Sequence, residues 1–319
     1  MSSQSTAPFF IIGSGRSGTT MLRLMLNMHS RIRVPRESWF MMDLIDALPN
    51  HSDLTGEQRN LAFGIIRSHP RWRDWECDDG RLAAAVMGAG RCNLAVLIDN
   101  VYRNCSRMDG RVRWGDKTPK HSLYSGKLAG LFPEAKFIHV IRDARDVFLS
   151  MRMAHWYGGS PRRIGKYWSG TTGAALQPRT ICPERYHEVR YERLVTDSEG
   201  ELKALCRFLG EDYEPQMLDF YVGASDEIAP WETKLHEKTR RPPRPADIGR
   251  WERELPPLLV FFYESVVADR MREVGQQPRF GKRWQPLQAL VRVAFRLHEW
   301  VLDLLVRIAG RSQTAFGLK

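Results

Sequence analysis

"PFFIIGSGRSGTTMLRLML" occupies residues 8–26 and joins two apolar runs through a turn that carries three glycines. The first run, Pro8–Ile12, is short and continuous, as a fully buried strand is. The apolar spacing after Gly18 is helical. A helix entered from a glycine turn presents backbone N–H groups and the positive end of its dipole to an anion. The stretch therefore predicts a phosphate-type site at the end of a strand. Four further candidate strands, Arg31–Val34, Val112–Trp114, Lys136–Ile141 and His187–Tyr191, alternate with helical patterns. That alternation predicts an α/β fold around a mainly parallel sheet. Residues 40–110 hold no clear strand and read as a helical insert, polar and aromatic around Trp72 and Trp75.

Two phosphate-loop templates fit the turn in part. Gly13, Gly15 and Gly18 spell GxGxxG, the dinucleotide fingerprint, which asks for an acid about 20 residues later to hold a ribose. Glu37 stands near that distance, but "RIRVPRE" is a poor central strand with a proline just ahead of the acid. Gly13 and Gly18 also have Walker A spacing, with Thr20 at the hydroxyl position. Thr19, however, replaces the lysine that neutralises β- and γ-phosphates. The cation is instead Arg16, three residues earlier and inside the loop.

Arg16-Ser17-Gly18-Thr19-Thr20 resembles the phosphosulfate loop of the sulfotransferases that use 3′-phosphoadenosine 5′-phosphosulfate (PAPS), where Lys or Arg precedes Ser-Gly-Thr-Thr. A transferring sulfuryl group bears less charge than a phosphoryl group. A cradle of backbone N–H groups, hydroxyls and one or two cations suits it without a metal. The resemblance implies a three-layer, P-loop-NTPase-like α/β fold. It also implies that Gly15, Arg16, Ser17, Gly18, Thr19 and Thr20 hold the 5′-phosphosulfate. It spans most of residues 8–255 as short motifs separated by unmatched sequence.

"AKFIHVIRDARDVFLSM" (135–151) adds a second motif. Its strand ends at Ile141, Arg142 follows, and a helix starts near Asp143, a fitting N-cap. Ser150 lies two helical turns past Asp143, on the same face. In the family an Arg and a Ser at this spacing bind the 3′-phosphate, which implies that role for Arg142 and Ser150. In "WGDKTPKH" (114–121), Lys117 resembles the lysine set against the sulfuryl and bridging oxygens. Two readings stay open for Tyr191: a residue near the adenine, or a core aromatic. "KTRRPPRPADIGRW" (238–251) is similar to the family's basic C-terminal cofactor segment and carries Arg240, Arg241 and Arg250.

Sulfuryl transfer to a hydroxyl requires removal of the acceptor proton. Glu37, 21 residues after Arg16, resembles the catalytic glutamate of the tyrosylprotein and glycan branches of the family. His121, four residues after Lys117, is a looser match to the histidine base of the cytosolic small-molecule branch. Glu37 is the preferred base, with Arg36 beside it as a cation that would keep it ionised if it points inwards. Met21, where the small-molecule branch has an aromatic that stacks on adenine, points to the same glutamate-base branch. The expected acceptor is a hydroxyl of a glycan, a lipid headgroup, a small molecule or a peptide tyrosine. The insert at 40–110 and the segment 155–180 are expected to line its pocket.

The 319-residue chain carries a net charge of +11, which favours anionic partners. No nucleic-acid-binding motif accompanies that charge. The five cysteines are scattered without CxxC spacing, and the N-terminus lacks a signal-peptide pattern. A cytoplasmic setting follows. Residues 1–283 are read as the sulfotransferase domain and 284–319 as a C-terminal extension. Within the extension, residues 287–309 form an amphipathic helical pattern, expected to dock on the body, on a second subunit, or peripherally on the inner face of a membrane. The alternative function is a nucleotide-dependent, kinase-like phosphotransferase on the same fold.

Overall fold

The computed structural model describes residues 6–49, 52–88, 90–295 and 297. The chain divides into two compact units: Met1–Arg142 with Gly170–Ile248, and Asp143–Ser169 with Gly249–Lys319.

The first unit holds five parallel strands: β1 (Phe9–Ile12), β2 (Ile32–Arg33), β3 (Arg113–Asp116), β4 (Lys136–Ile141) and β5 (Tyr186–Arg190), in the order β2-β3-β1-β4-β5. Each matches an expected strand to within two residues. Alternate side chains of a strand point to opposite faces, and β1 shows this directly. Phe10 and Ile12 pack with Trp114, Phe137 and the helices of residues 40–105. Phe9 and Ile11 pack with Ile138, Val140, the helix α1 (Thr19–Asn27) and the helix Ser198–Leu209. Helices on both faces of a parallel sheet make three layers, the predicted architecture.

Residues 40–110 are helical as expected, with helices at Phe40–Ala47, Gly56–Ser68, Asp79–Met87 and Leu94–Cys105. Trp72 and Trp75 are both buried, stacked on one another and packed edge-on against Phe40. Their apolar area outweighs the charges beside them, so they belong to the core.

The chain leaves β1 in the middle of the sheet, goes out to β2 on one side and later returns to β4 on the other. Ligands of open parallel sheets bind where strand order reverses, outside the C-terminal strand ends. The glycine turn after β1 occupies that position.

The second unit centres on the helices Ala144–Met153 and Pro257–Glu273. Phe148 and Tyr263 stack between them at 4.5 Å. Asp143 is the N-cap of the first helix, as expected, accepting from the Arg145 N–H at 2.8 Å. Buried Glu264 accepts from Arg145 Nη1 at 3.2 Å and from the N–H groups of Arg279 and Phe280 at 2.9 and 3.0 Å.

Candidate active site

Gly13 leaves β1 at φ +145°, and a Cβ there would meet the Val140 carbonyl oxygen at 2.6 Å. Only glycine lets the turn run this close to β4. The Gly13 N–H donates to Ser122 Oγ at 2.8 Å, and that hydroxyl donates back to Gly13 O at 3.0 Å. Arg16 adopts a left-handed φ of +68°, a conformation that strains a residue with a side chain. Gly18 caps α1 at φ +93°, with no side-chain acceptor and no acid in the first turn. The positive end of the helix thus faces no charge of its own.

Arg142 follows β4 and crosses to the turn. Its Nη1 donates to Arg16 O at 3.1 Å, its Nη2 to Asp247 O at 3.3 Å, and its guanidinium lies over the Tyr191 ring at 4.3 Å. Tyr191, which follows β5 directly, packs against Gly18 so closely that a Cβ there would fall 2.3 Å from its Cδ2. Burial, and then the Arg142 charge, push the Arg16 guanidinium below its usual value. Two cations held together beside a helix N-terminus form a site for a multiply charged anion.

Glu37 and Lys117 meet at the neighbouring strand exits. Lys117 follows β3 directly and is buried; its Nζ bonds Glu37 Oε1. Their neighbours are stitched as well. The Ser38 N–H donates to Thr118 Oγ1 at 2.9 Å, and Ser38 Oγ donates to Asp116 Oδ2 at 2.6 Å. The other carboxylate oxygen, Glu37 Oε2, accepts from Trp39 Nε1 at 2.7 Å and lies 4.0 Å from Arg71 Nη2. Burial alone would push this carboxyl up. Lys117, the Trp39 indole and Arg71 outweigh it and hold Glu37 below the usual carboxylate range.

The backbone ahead of Glu37 is clamped from α1. Buried Arg23 donates to Val34 O at 3.3 Å, Pro35 O at 3.4 Å and Glu227 O at 2.6 Å, while Asn27 exchanges hydrogen bonds of 2.7 and 2.9 Å with Val34. Glu227 closes the clamp by accepting from Arg33 Nη1 at 2.6 Å.

The family model described as the sulfotransferase family matches residues 8–215. The chain belongs to that family. It is 23% identical over 282 residues to protein-tyrosine sulfotransferase A of Caenorhabditis elegans, covering 86% of this chain and 68% of the relative. Over 127 residues it is 29% identical to the omega-hydroxy-beta-dihydromenaquinone-9 sulfotransferase Stf3 of Mycobacterium tuberculosis, covering 34% and 33%. It spans only 28% of the length of an Aquifex aeolicus relative, at 24% identity and 76% of its own length. Among solved structures, the sulfotransferase domain from the curacin biosynthetic pathway superposes with a TM-score of 0.57 at 21% identity, covering 86% of this chain and 99% of that one. That likeness concerns the fold.

The remaining expected residues take varied places. Thr19 and Thr20 are buried in the first turn of α1. His121 is fully buried, with Nδ1 2.7 Å from Asp116 Oδ1 and its ring edge-on to Phe10. Arg36 does not turn in to Glu37; it donates to Asp74 O at 3.1 Å and reaches Glu76 at 3.5 Å. The cations near Glu37 are Lys117 and Arg71. In the basic segment, Arg241 pairs with Asp247 at 2.8 Å, Lys238 pairs with it at 2.5 Å, and Arg240 is exposed. In the second unit, Ser150 is half-buried on the helix Ala144–Met153, and Arg250 forms a bidentate pair with Glu254 at 2.7 and 2.8 Å.

Three residues of the site went unnoticed in the sequence: Arg71, Asp247 and His236. Arg71 lies 3.9 Å over the Trp231 ring and pairs with Glu232 at 2.9 Å as well as approaching Glu37. His236 lies where burial and the charges of Lys117 and Arg16 push its imidazole down to about 3, so it stays neutral. The lone acid among the five cations of residues 238–251, Asp247, was the one available signal: a carboxylate there pre-pairs the basic segment.

Proposed function

We propose that this sulfotransferase transfers the sulfuryl group of PAPS to an acceptor hydroxyl, with Glu37 as the general base. The observation that carries the reading is the Glu37–Lys117 ion pair beside the phosphate turn. The acceptor oxygen attacks sulfur, the bond from sulfur to the 5′-phosphate oxygen breaks, and the acceptor proton passes to Glu37. Backbone N–H groups of residues 15–20, Arg16 and the Thr19 and Thr20 hydroxyls cradle the 5′-phosphosulfate. Lys117 and Arg16 offset the charge that builds on the leaving phosphate. A donor oxygen that draws Lys117 away also removes the main cation depressing Glu37, so the base strengthens when the donor is in place. Arg142, fixed by Tyr191 and the turn, receives the 3′-phosphate; Ser150 is assigned to the same phosphate on the resemblance alone.

The acceptor class is a hydroxyl, in line with the tyrosine and ω-hydroxy-menaquinone named for the two relatives above. The deciding experiment is thermal stabilisation by 3′-phosphoadenosine 5′-phosphate against ADP, magnesium-ATP and NAD, followed by transfer of labelled sulfate from PAPS to a panel of hydroxyl acceptors. Selective stabilisation by the bisphosphate supports the reading. Preference for magnesium-ATP would replace it with a phosphotransferase.

A further inference from the structure

The second unit contains a helix whose outward side is apolar. It spans residues 285–295 and continues in sequence to Leu297. Its inward side mixes polar and apolar groups: Gln288 is buried, Arg292 Nη1 donates to Ser265 O at 3.2 Å, and the Phe295 ring lies 6.2 Å from that of Phe262. Its outward side carries Leu287, Leu290, Val293 and Leu297, exposed by 45%, 65%, 50% and 58%. At the start of the helix, Trp284 packs edge-on to Phe261 and Phe280 and is 36% exposed. An ordinary surface helix turns its apolar stripe to the core; this one also presents four apolar side chains to the surroundings.

A cavity of about 130 Å³ lies beside the same helix, lined by Arg162, Lys166, Val266, Arg292 and Phe295. Three of the five residues lining it are cationic. The Arg162 guanidinium also lies 5.6 Å over the Phe295 ring. Burial pushes Arg162 below its usual value, and burial with the Arg162 charge does the same to Lys166.

We propose that the helix 285–295 and the Arg162–Lys166–Arg292 cavity bind an anionic lipid surface, the outward leucines entering the acyl boundary while the cavity takes a headgroup phosphate. Charge complementarity selects this occupant over a second copy of the chain. Residues 279–319 contain eight Lys or Arg against two Asp or Glu, within a chain of net charge +11. Two such surfaces repel each other, whereas an anionic bilayer attracts both. Attachment is peripheral: among the described residues no helix is long and apolar enough to cross a membrane. The inference does not depend on the reaction assigned above.

The test is co-sedimentation of the full chain with vesicles of phosphatidylcholine alone and of phosphatidylcholine mixed with phosphatidylglycerol, with light scattering in parallel. The wild-type chain is expected to pellet with the anionic vesicles only. Leu287→Ser, Leu290→Ser, Val293→Ser and Leu297→Ser together should lower its partition by about two orders of magnitude. These side chains are exposed, so an unchanged circular-dichroism spectrum is expected to accompany the loss. Lys166→Ala, also at an exposed position, should reduce the preference for phosphatidylglycerol. Failure of the wild type to pellet would overturn the proposal, as would pelleting unaffected by the four serines. So would a dimer that the four serines convert to a monomer, which would assign the face to a second copy.

Discussion

Glu37 and Lys117, the first half-buried and the second buried, form an ion pair between the exits of two adjacent strands, β2 and β3. Neither residue reaches the other by luck of side-chain length. Ser38 is bonded to both neighbours of Lys117, Asp116 and Thr118. Arg23 and Asn27 pin Val34 and Pro35 from α1. The pair is therefore set by backbone on both sides, which is the rigidity a proton-transfer group needs.

Replacing Glu37 by Gln keeps the shape of the side chain and removes the base. Turnover is expected to fall by about 10²–10⁴-fold, while 3′-phosphoadenosine 5′-phosphate still stabilises the protein in a thermal-shift assay. Full activity in Glu37→Gln would remove the base assignment.

The same pair makes a pH prediction. Lys117 and its neighbours hold Glu37 below the usual carboxylate range, against burial. The acidic limb of kcat/KM should lie below about 4.3, the ordinary glutamate value. In Lys117→Met burial is the largest influence left, and the limb should move above that value. Rates for both proteins across the acidic range, on the same acceptor, check the direction.

His236 links the site to stability. Its folded-state value is depressed to about 3 from an unfolded value of about 6.5. Below pH 6.5 the unfolded chain binds a proton that the folded chain does not, so stability falls as pH drops from about 6.5 towards 3. The expected slope is about 1.4 kcal/mol per pH unit from this group. Glu37, also depressed, adds to the loss only at lower pH, as the medium falls through its own folded value. Urea unfolding at pH 7 and pH 5 should show a shallower loss in His236→Gln than in the wild type.

Arg142→Ala should weaken binding of 3′-phosphoadenosine 5′-phosphate by about 10–100-fold, the worth of a charge-assisted hydrogen bond. ADP, which lacks the 3′-phosphate, should bind both proteins alike. Calorimetric titration of the two nucleotides makes the comparison, and an equal loss for ADP would refute the 3′-phosphate role.

Gly18→Ala tests the turn itself. The position has φ +93°, and the new methyl would meet Tyr191, whose ring is held under Arg142. A loss of about 1–3 kcal/mol in urea unfolding is expected. Adding Tyr191→Ala should remove the clash and leave only the backbone strain, recovering part of that loss. Losses that simply add would show that Tyr191 is not the obstacle.

The sequence alone determined what is local. The glycine turn, its displaced cation Arg16, the strand ends at Ile141 and before Lys117, and the Asp143 N-cap all follow from short-range periodicity, backbone sterics and capping chemistry. Those rules act within a few residues and so can be read in one dimension. Only the tertiary structure decided which long side chains share a carboxylate. Arg36 is next to Glu37 in sequence yet turns to Asp74 and Glu76, while Lys117, 80 positions away, takes the carboxylate. Trp72 and Trp75, polar in their surroundings on paper, are drawn into the core by the area they bury. Arg71 and His236 carry no local pattern at all. Their roles come from electrostatic pairing between segments that the sheet brings together, and that pairing depends on distance in space rather than along the chain.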